Sequence, residues 1–567
     1  MAEQPQEMEM FTVRNRAALE EFENNDRRPA FMLTMTELKL LGIAGVGFFL
    51  DAYDLFIINP VATMLQFRLY EGKSLPNNLQ GFLKAGTNIG SVIGQFAFGY
   101  AADALGRKAV YGKELMLIML GTILTMTTPT GSLSPDACLI YLGCFRILLG
   151  IGIGGDYPMS ASVTSDRANL RKRGTMLAYI FSNQGWGNFV GSLATIIVLA
   201  CYRHVMDVEG KTSKVDGVWR IVIGISLVPA AATLYQRLTL PESTRYKASR
   251  RLGHSEQGNE LDDIAKLKME QRAQEEKEER VQKRQAEVQV KDSSAESTPG
   301  SEGSRASSLA HEKQDVRVRV KEEEVVAEVR APSHFKEFLQ YFSEWEHFKI
   351  LFATCACWFL LDIAFYGINL NQNVVLQEIG FAGKTGTPWQ KLFNISVGGM
   401  IITALGFVPG YYATVLTIEY LGRKWIQIQG FLLAALFLAV IAGKFDTLSH
   451  VEFIVCFAFL QFFFNFGANA TTYCYPAEVF PTKFKATAHG LSAACGKAGA
   501  IISALVFNTL TSSIGTPNVL WIFFACCIVG AAISLLLPEV KGRDPDQVLA
   551  EEIRQKKLAA AQNAARQ

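Results

Sequence analysis

A carboxylate, a phenol and a proline follow paired glycines in the run GIGIGGDYPMSAS, placing Asp156, Tyr157 and Pro158 deep inside an otherwise apolar stretch. An ionisable side chain at that depth is costly and asks for a function. Asp51 and Asp54 fall three residues apart in an earlier apolar run, Glu114 and Arg146 belong to two others, and Asp362 and Lys497 lie within two more. Groups of this kind exchange protons. Burial favours a neutral acid and a nearby guanidinium favours its anion, so a moving Arg146 would switch an aspartate between holding and releasing a proton. Asp51, Asp156 and Asp362 are all candidates for that proton, and clustered acids titrate as a unit with no single owner. A plainer reading also stands: the glycines pack helices, Pro158 bends one by freeing a carbonyl a turn back, and Asp156 pairs with Arg146 on its own helix.

The elements that must position these groups are membrane helices. The chain has 567 residues, 49% hydrophobic and 11% aromatic, with only 19% charged and a formal net charge of +2. Runs long enough to cross a bilayer, roughly 20 residues each, fall near 36–64, 79–104, 112–130, 137–160, 174–201 and 219–239. Six more fall near 348–370, 388–416, 425–444, 451–475, 485–512 and 517–537. The expected fold is therefore all-α, twelve transmembrane helices in two six-helix bundles, 36–240 and 347–538. The first run is too long for a signal-peptide core and reads as a retained span. Basic clusters at Arg107, Lys108 and Lys113, at Arg167, Arg171, Lys172 and Arg173, at Arg423 and Lys424, and at Lys483 and Lys485 fall in alternate loops. Positive-inside logic then puts both termini, 1–35 and 539–567, in the cytosol. The ten cysteines show no metal-ligand spacing and read as core residues. Between the bundles, 241–346 turns polar: KMEQRAQEEKEERVQKRQAE suits a solvated helix and SSAESTPGSEGSRASS a disordered cytosolic segment. Its serines and threonines are open to phosphorylation, or the segment is a linker without a specific role.

The two halves echo each other. FFLDAYDLFIIN in span one parallels WFLLDIAFYGIN in span seven, and DYPMSAS to KRGTMLAY parallels CYPAEVF to FKATAHGL. A parallel repeat of this kind fits a two-bundle transporter with its site between the halves. GYAADALGRK, residues 99–108, sits between spans two and three, and a weaker copy, PGYYATVLTIEYLGRK, ends at Lys424. There Asp103 can face a helix N-terminus and Arg107 an acid from a neighbouring span, making a latch that closes one side. With LPESTRY, PAEVFPTKFKAT and LPEVKGRDP, these motifs resemble the major facilitator superfamily, in its sugar-porter-like branch, over nearly the whole chain. GGDYPMSASVTSD is similar to the signature of the fungal and plant proton-coupled phosphate transporters, usually GGDYPLSATIMSE, departing at Met159, Ser162, Val163, Thr164 and Asp166.

Phosphate carries acceptor oxygens and, when protonated, donor hydroxyls, so its pocket needs donors and at least one acceptor. Trp358, Asp362 and Tyr366 recur every four residues along one helix face. Gln461, Asn465, Asn469 and Tyr473 do the same in span ten, as do Gln184 and Asn188 in span five. Amides also join membrane helices, so the stripes alone leave ligand contact and packing both open. The resemblance implies that Tyr157, Gln184, Trp358, Asp362, Tyr366 and Asn469 contact phosphate, with Lys497 near the site. It also implies a proton route through Asp51, Glu114, Arg146 and Asp156, with Asp54 three residues from Asp51 and Asp362 as alternative or additional carrier. The implied activity is inward symport of inorganic phosphate with protons at the plasma membrane. The expected partners are phosphate, protons and the lipid bilayer; no cofactor, metal or nucleic acid is expected, and oligomeric state is left open. An organic-phosphate transporter and a non-transporting phosphate receptor are the rivals. With no Walker-type phosphate loop, metal cluster or nucleophile motif, an enzyme is not expected.

Overall fold

A computed structural model describes residues 29–241, 334–378, 381 and 386–564. The charged helix and the serine-rich segment expected at 268–308 lie outside the described residues. Eleven described helices are long and apolar enough to cross a membrane. In the first half these are α1 (Met35–Leu69), α3 (Arg107–Met126), α4 (Pro135–Arg167), α5 (Leu170–Cys201) and α6 (Thr212–Leu238). The second half supplies α7 (Trp345–Asn369), α8 (Pro388–Leu421), α9 (Arg423–Lys444), α10 (His450–Val479), α11 (Lys485–Ile514) and α12 (Thr516–Ser534).

The twelfth span is α2, Asn77–Leu105, and it falls short on apolarity rather than length. Lys84, Thr87, Asn88, Ser91 and Gln95 are all buried on it. A helix this polar is stable in a bilayer because its polar face packs against α4 and α11, leaving Ile93, Phe96 and Tyr100 on the exposed side. Its glycines let α4 approach backbone to backbone: a Cβ on Gly90 would sit 1.9 Å from the Ile147 carbonyl oxygen. Carbonyl oxygens of a packed helix cannot swing aside. Gly90→Ala is therefore expected to cost about 1–3 kcal/mol or more, measured as a drop in thermal unfolding temperature. Gly42→Ala, where nothing lies within 4 Å, should leave that temperature unchanged.

Local sequence sets where spans begin and end. Thr34, Ser134, Thr387 and Ser449 each accept from a backbone N–H in the first turn of α1, α4, α8 and α10. In the two LGRK copies, Gly106 and Gly422 hold φ at 103° and 85°. This is a conformation that stops one helix and lets the arginine open the next. Pro158 lies inside α4 and Pro476 inside α10, so the two YP pairs occupy matching spans of the repeat.

Several spans are broken near their polar residues. α1 breaks at Ile57, after Asp51 and Asp54, and α10 breaks between Asn465 and Ala468. α8 widens to a π turn over Thr403–Phe407, just before Tyr411. Such turns often accompany functional sites. The stretch before α7 is more ordered than a polar linker implies: His334–Phe342 is an amphipathic helix burying Phe338 and Phe342 against Phe480 and Phe484. All ten cysteines are free, and Cys144 and Cys201 are exposed, unlike the core positions expected of them.

Candidate functional site

Halfway along the bundle, side chains from both halves meet in one connected polar group. Lys497 of α11 donates to Tyr366 OH at 2.6 Å and to Asp362 Oδ2 at 3.2 Å. Its ammonium also lies 4.0 Å from the ring centre of Tyr366 and 5.1 Å from that of Tyr157. From the first half, Gln184 donates to Tyr157 OH at 2.7 Å. Tyr411 donates to Gln184 Oε1 at 3.2 Å and accepts from Asn469 at 2.8 Å, and Asn469 also bonds Asn465. Trp358 lies with its ring 6.3 Å from Tyr157. All seven residues expected around the anion are thus buried in one neighbourhood. Tyr411 joins them as the bridge between α5 and α10. The walls are aromatic: Phe48 packs edge-on to Tyr157, Phe181 and Tyr473 at 5.0–5.3 Å. Of the remaining stripe residues, Gln461 serves packing by accepting from Asn369, and Asn188 is only half-buried.

A second cluster lies between the central site and the end of the bundle that bears the basic loops. Asp156 is not paired with Arg146. It is held by Arg237 of α6, with Nη1 to Oδ1 at 2.8 Å and Nη2 to Oδ2 at 3.2 Å, while Nη1 also reaches Glu114 at 3.1 Å. Arg146 sits ten residues from Asp156 on a continuous helix, about 15 Å along its axis. It instead donates to the main-chain oxygen of Asp54 at 3.1 Å. Gly47 of α1 makes room for the new pair: a Cβ there would lie 1.8 Å from Asp156 Oδ2 and 1.9 Å from Arg237 Nη2. Asp51 is fully buried, and neither of its carboxylate oxygens has a hydrogen-bond partner among the described residues. It lies within electrostatic range of Asp156, Arg237 and Lys497, between the two clusters.

At the basic-loop end the halves are latched. Asp103 accepts from the Ala486 and Thr487 N–H groups at the start of α11 and from Thr487 Oγ1. Arg107 lies 3.5 Å from Asp103 and 3.4 Å from Asp166, and donates to the Thr482 carbonyl oxygen. Lys485 reaches back to Asp166 at 3.0 Å. The second LGRK copy builds a matching knot: Arg423 binds Glu419 and Glu478, and Glu419 accepts from the Thr175 N–H of the other half. Contacts close the opposite end too, through Asn59 to the Asn369 carbonyl oxygen, Lys84 to Asn371 and Trp389 to the Leu199 carbonyl oxygen. The halves therefore meet on both sides of the central site.

Tyr411 and Arg237 were missed because nothing in their local sequence marks them. Tyr411 is one of 17 tyrosines and lies outside the polar stripes. Arg237 sits near the end of α6, where a basic residue ordinarily reads as a topology signal. Gly47 was the one available hint, since a glycine beside an aspartate-bearing face leaves space for a large partner.

Residues 40–550 match the sugar (and other) transporter family, and the chain belongs to that family. It is a multi-pass membrane protein with the major facilitator fold. It is similar to a putative inorganic phosphate transporter of Schizosaccharomyces pombe, 43% identical over 91% of this chain and 88% of the relative. It also resembles the inorganic phosphate transporter PHO84 of Saccharomyces cerevisiae, at 36% identity over 90% and 84% of the two chains. The repressible high-affinity phosphate permease of Neurospora crassa is 33% identical over 91% and 86%. Among solved structures, the proton:xylose symporter XylE superposes with a TM-score of 0.63 at 17% identity, covering 91% of this chain and 98% of that one.

Proposed function

We propose that this protein imports inorganic phosphate together with protons across the plasma membrane, the two bundles rocking around the central site. The observation that carries the reading is the buried pairing of Lys497 with Asp362 and Tyr366, facing Tyr157 and Gln184 of the other half. An ammonium, phenols and amides supply donors to phosphate oxygens. Asp362 supplies an acceptor for a phosphate hydroxyl and repels a fully deprotonated oxyanion such as sulfate. The relatives named phosphate transporters support the same substrate. The enclosing aromatic wall favours a small tetrahedral anion over a glycerophosphodiester.

Bringing a monoanion into a negative interior costs about 2.3 kcal/mol per 100 mV, and one accompanying proton cancels that charge. Asp51 and Asp54 are the carboxylates available to take it, because Asp156 and Asp362 already face Arg237 and Lys497. From Asp51 a proton reaches the Glu114–Arg237–Asp156 group, where one guanidinium serves both acids and a shift of α6 within the first bundle changes which of them it serves. The basic-loop end faces the cytosol, with both termini on that side.

The test is uptake of radiolabelled phosphate into proteoliposomes with an acidic exterior. Uptake should follow the imposed pH gradient and resist competition by sulfate and glycerophosphodiesters. Uptake indifferent to collapse of the gradient sinks the coupling, and strong competition by glycerophosphodiesters sinks the substrate.

A further inference from the structure

Resting on the phosphate reading, we infer that Lys84 is a second anion station on the outer side of the central site, occupied by phosphate on its way in and by Asn371 once the outer side has closed. Lys84 lies on α2 two turns below its outer end and is 2% exposed. Among the described residues its ammonium makes one hydrogen bond, to Asn371 Oδ1 at 2.7 Å, and no ion pair. Lys485 and Lys497, by contrast, each reach a carboxylate at 3.0 and 3.2 Å. An ammonium has three N–H donors and no use for burial beside a single neutral amide. A cation kept inside a membrane bundle without a counterion marks a pathway for a charged solute.

The partner is placed so that the contact exists only in the closed arrangement. Lys84 belongs to the first half and Asn371 follows α7 in the second. Asn371 donates its own Nδ2 to the Gly367 carbonyl oxygen at 2.8 Å, which turns Oδ1 toward the ammonium. The contacts beside it in the closing layer are neutral, from Asn59 to the Asn369 carbonyl oxygen at 2.7 Å and from Asn373 to Thr63 at 3.4 Å. When the halves part on this side, Asn371 withdraws and the ammonium faces the opening with no carboxylate paired to it among the described residues. An incoming phosphate offers several acceptor oxygens in its place.

The next cation inward is Lys497, bonded to Tyr366. Tyr366 precedes Asn371 by five residues, on the order of 7–8 Å along the helix axis. As phosphate moves to Lys497, the Asn371 amide replaces it on Lys84. Closure of the outer side thereby follows passage of the anion rather than preceding it.

The test compares Lys84→Gln, Lys84→Arg and Asn371→Asp with the wild type, by initial rates of phosphate uptake in proteoliposomes as external phosphate is varied. Glutamine can still donate to Asn371 but carries no charge, and Asn371→Asp leaves Lys84 in place with a permanent counterion. Both should raise the external KM by about tenfold or more, with Vmax within about twofold, whereas Lys84→Arg should keep KM near that of the wild type. KM unchanged in both Lys84→Gln and Asn371→Asp overturns the proposal, as does a loss confined to Vmax, which would make the contact a closing bond only. A wild type that moves no phosphate at all overturns the phosphate reading and this inference with it. A wild type that transports beside variants of unchanged KM overturns this inference alone.

Discussion

Lys497→Met is expected to lower phosphate uptake by about 100-fold or more, equivalent to roughly 2.7 kcal/mol, and to destabilise the protein. Adding Asp362→Asn should return the stability without the uptake. Lys497 and Asp362 are each about 1% exposed, so truncating one leaves the other as a lone buried charge. That costs about 3–5 kcal/mol, whereas replacing both partners by neutral groups is often tolerated. The single variant should therefore unfold at lower temperature than the wild type and the double variant should recover most of the difference. Transport requires the ammonium to meet the anion, and the double variant has none. Uptake by Lys497→Met within about tenfold of wild type would remove Lys497 from the substrate path. A double variant no more stable than the single would show that the pair is not energetically coupled.

Arg237→Met should have the larger effect on folding. The guanidinium is fully buried, serves two carboxylates, donates to the main-chain oxygens of Ile43 and Ala44, and stacks 4.9 Å over the Tyr111 ring. It ties α6 to α1, α3 and α4 at once. Its loss leaves Glu114 and Asp156 facing each other without a cation, for which about 3–5 kcal/mol is a lower expectation. Little monodisperse protein should be recovered on size-exclusion chromatography. Arg237→Lys should rescue only partly, because an ammonium cannot make the two-pronged contact with Asp156. The triple variant with Glu114→Gln and Asp156→Asn should regain a monodisperse profile yet no uptake driven by a pH gradient. Recovery of gradient-driven uptake in that variant would take both acids out of the proton route.

Much of the architecture was legible in the chain. Apolar runs of bilayer length, separated by basic turns, define membrane spans because backbone groups in lipid must be satisfied within a helix. The two LGRK turns and the paired DYP and CYP segments disclosed the repeat, since each motif has a local cause: a left-handed glycine stop, or a proline inside a span. The stripe Trp358–Asp362–Tyr366 showed which face of α7 is polar, because helical spacing alone aligns it, and Asn465 and Asn469 stay side by side across the break in α10 through their own hydrogen bond.

Only tertiary packing decided which charges meet. Arg146 is near Asp156 in sequence but points elsewhere, while Arg237, 81 residues away, closes on Asp156 because Gly47 leaves the space. Tyr411 entered the site because the π turn of α8 re-aims the helix that follows it. Lys84 stands beside Asn371, 287 residues further on, because the polar face of α2 packs inward while Ile93 and Phe96 face outward. A sequence fixes the kind of side chain and its angle around its own helix. The partner across a helix interface depends on the depth and rotation of a second helix, and these are set by the packing of the whole bundle.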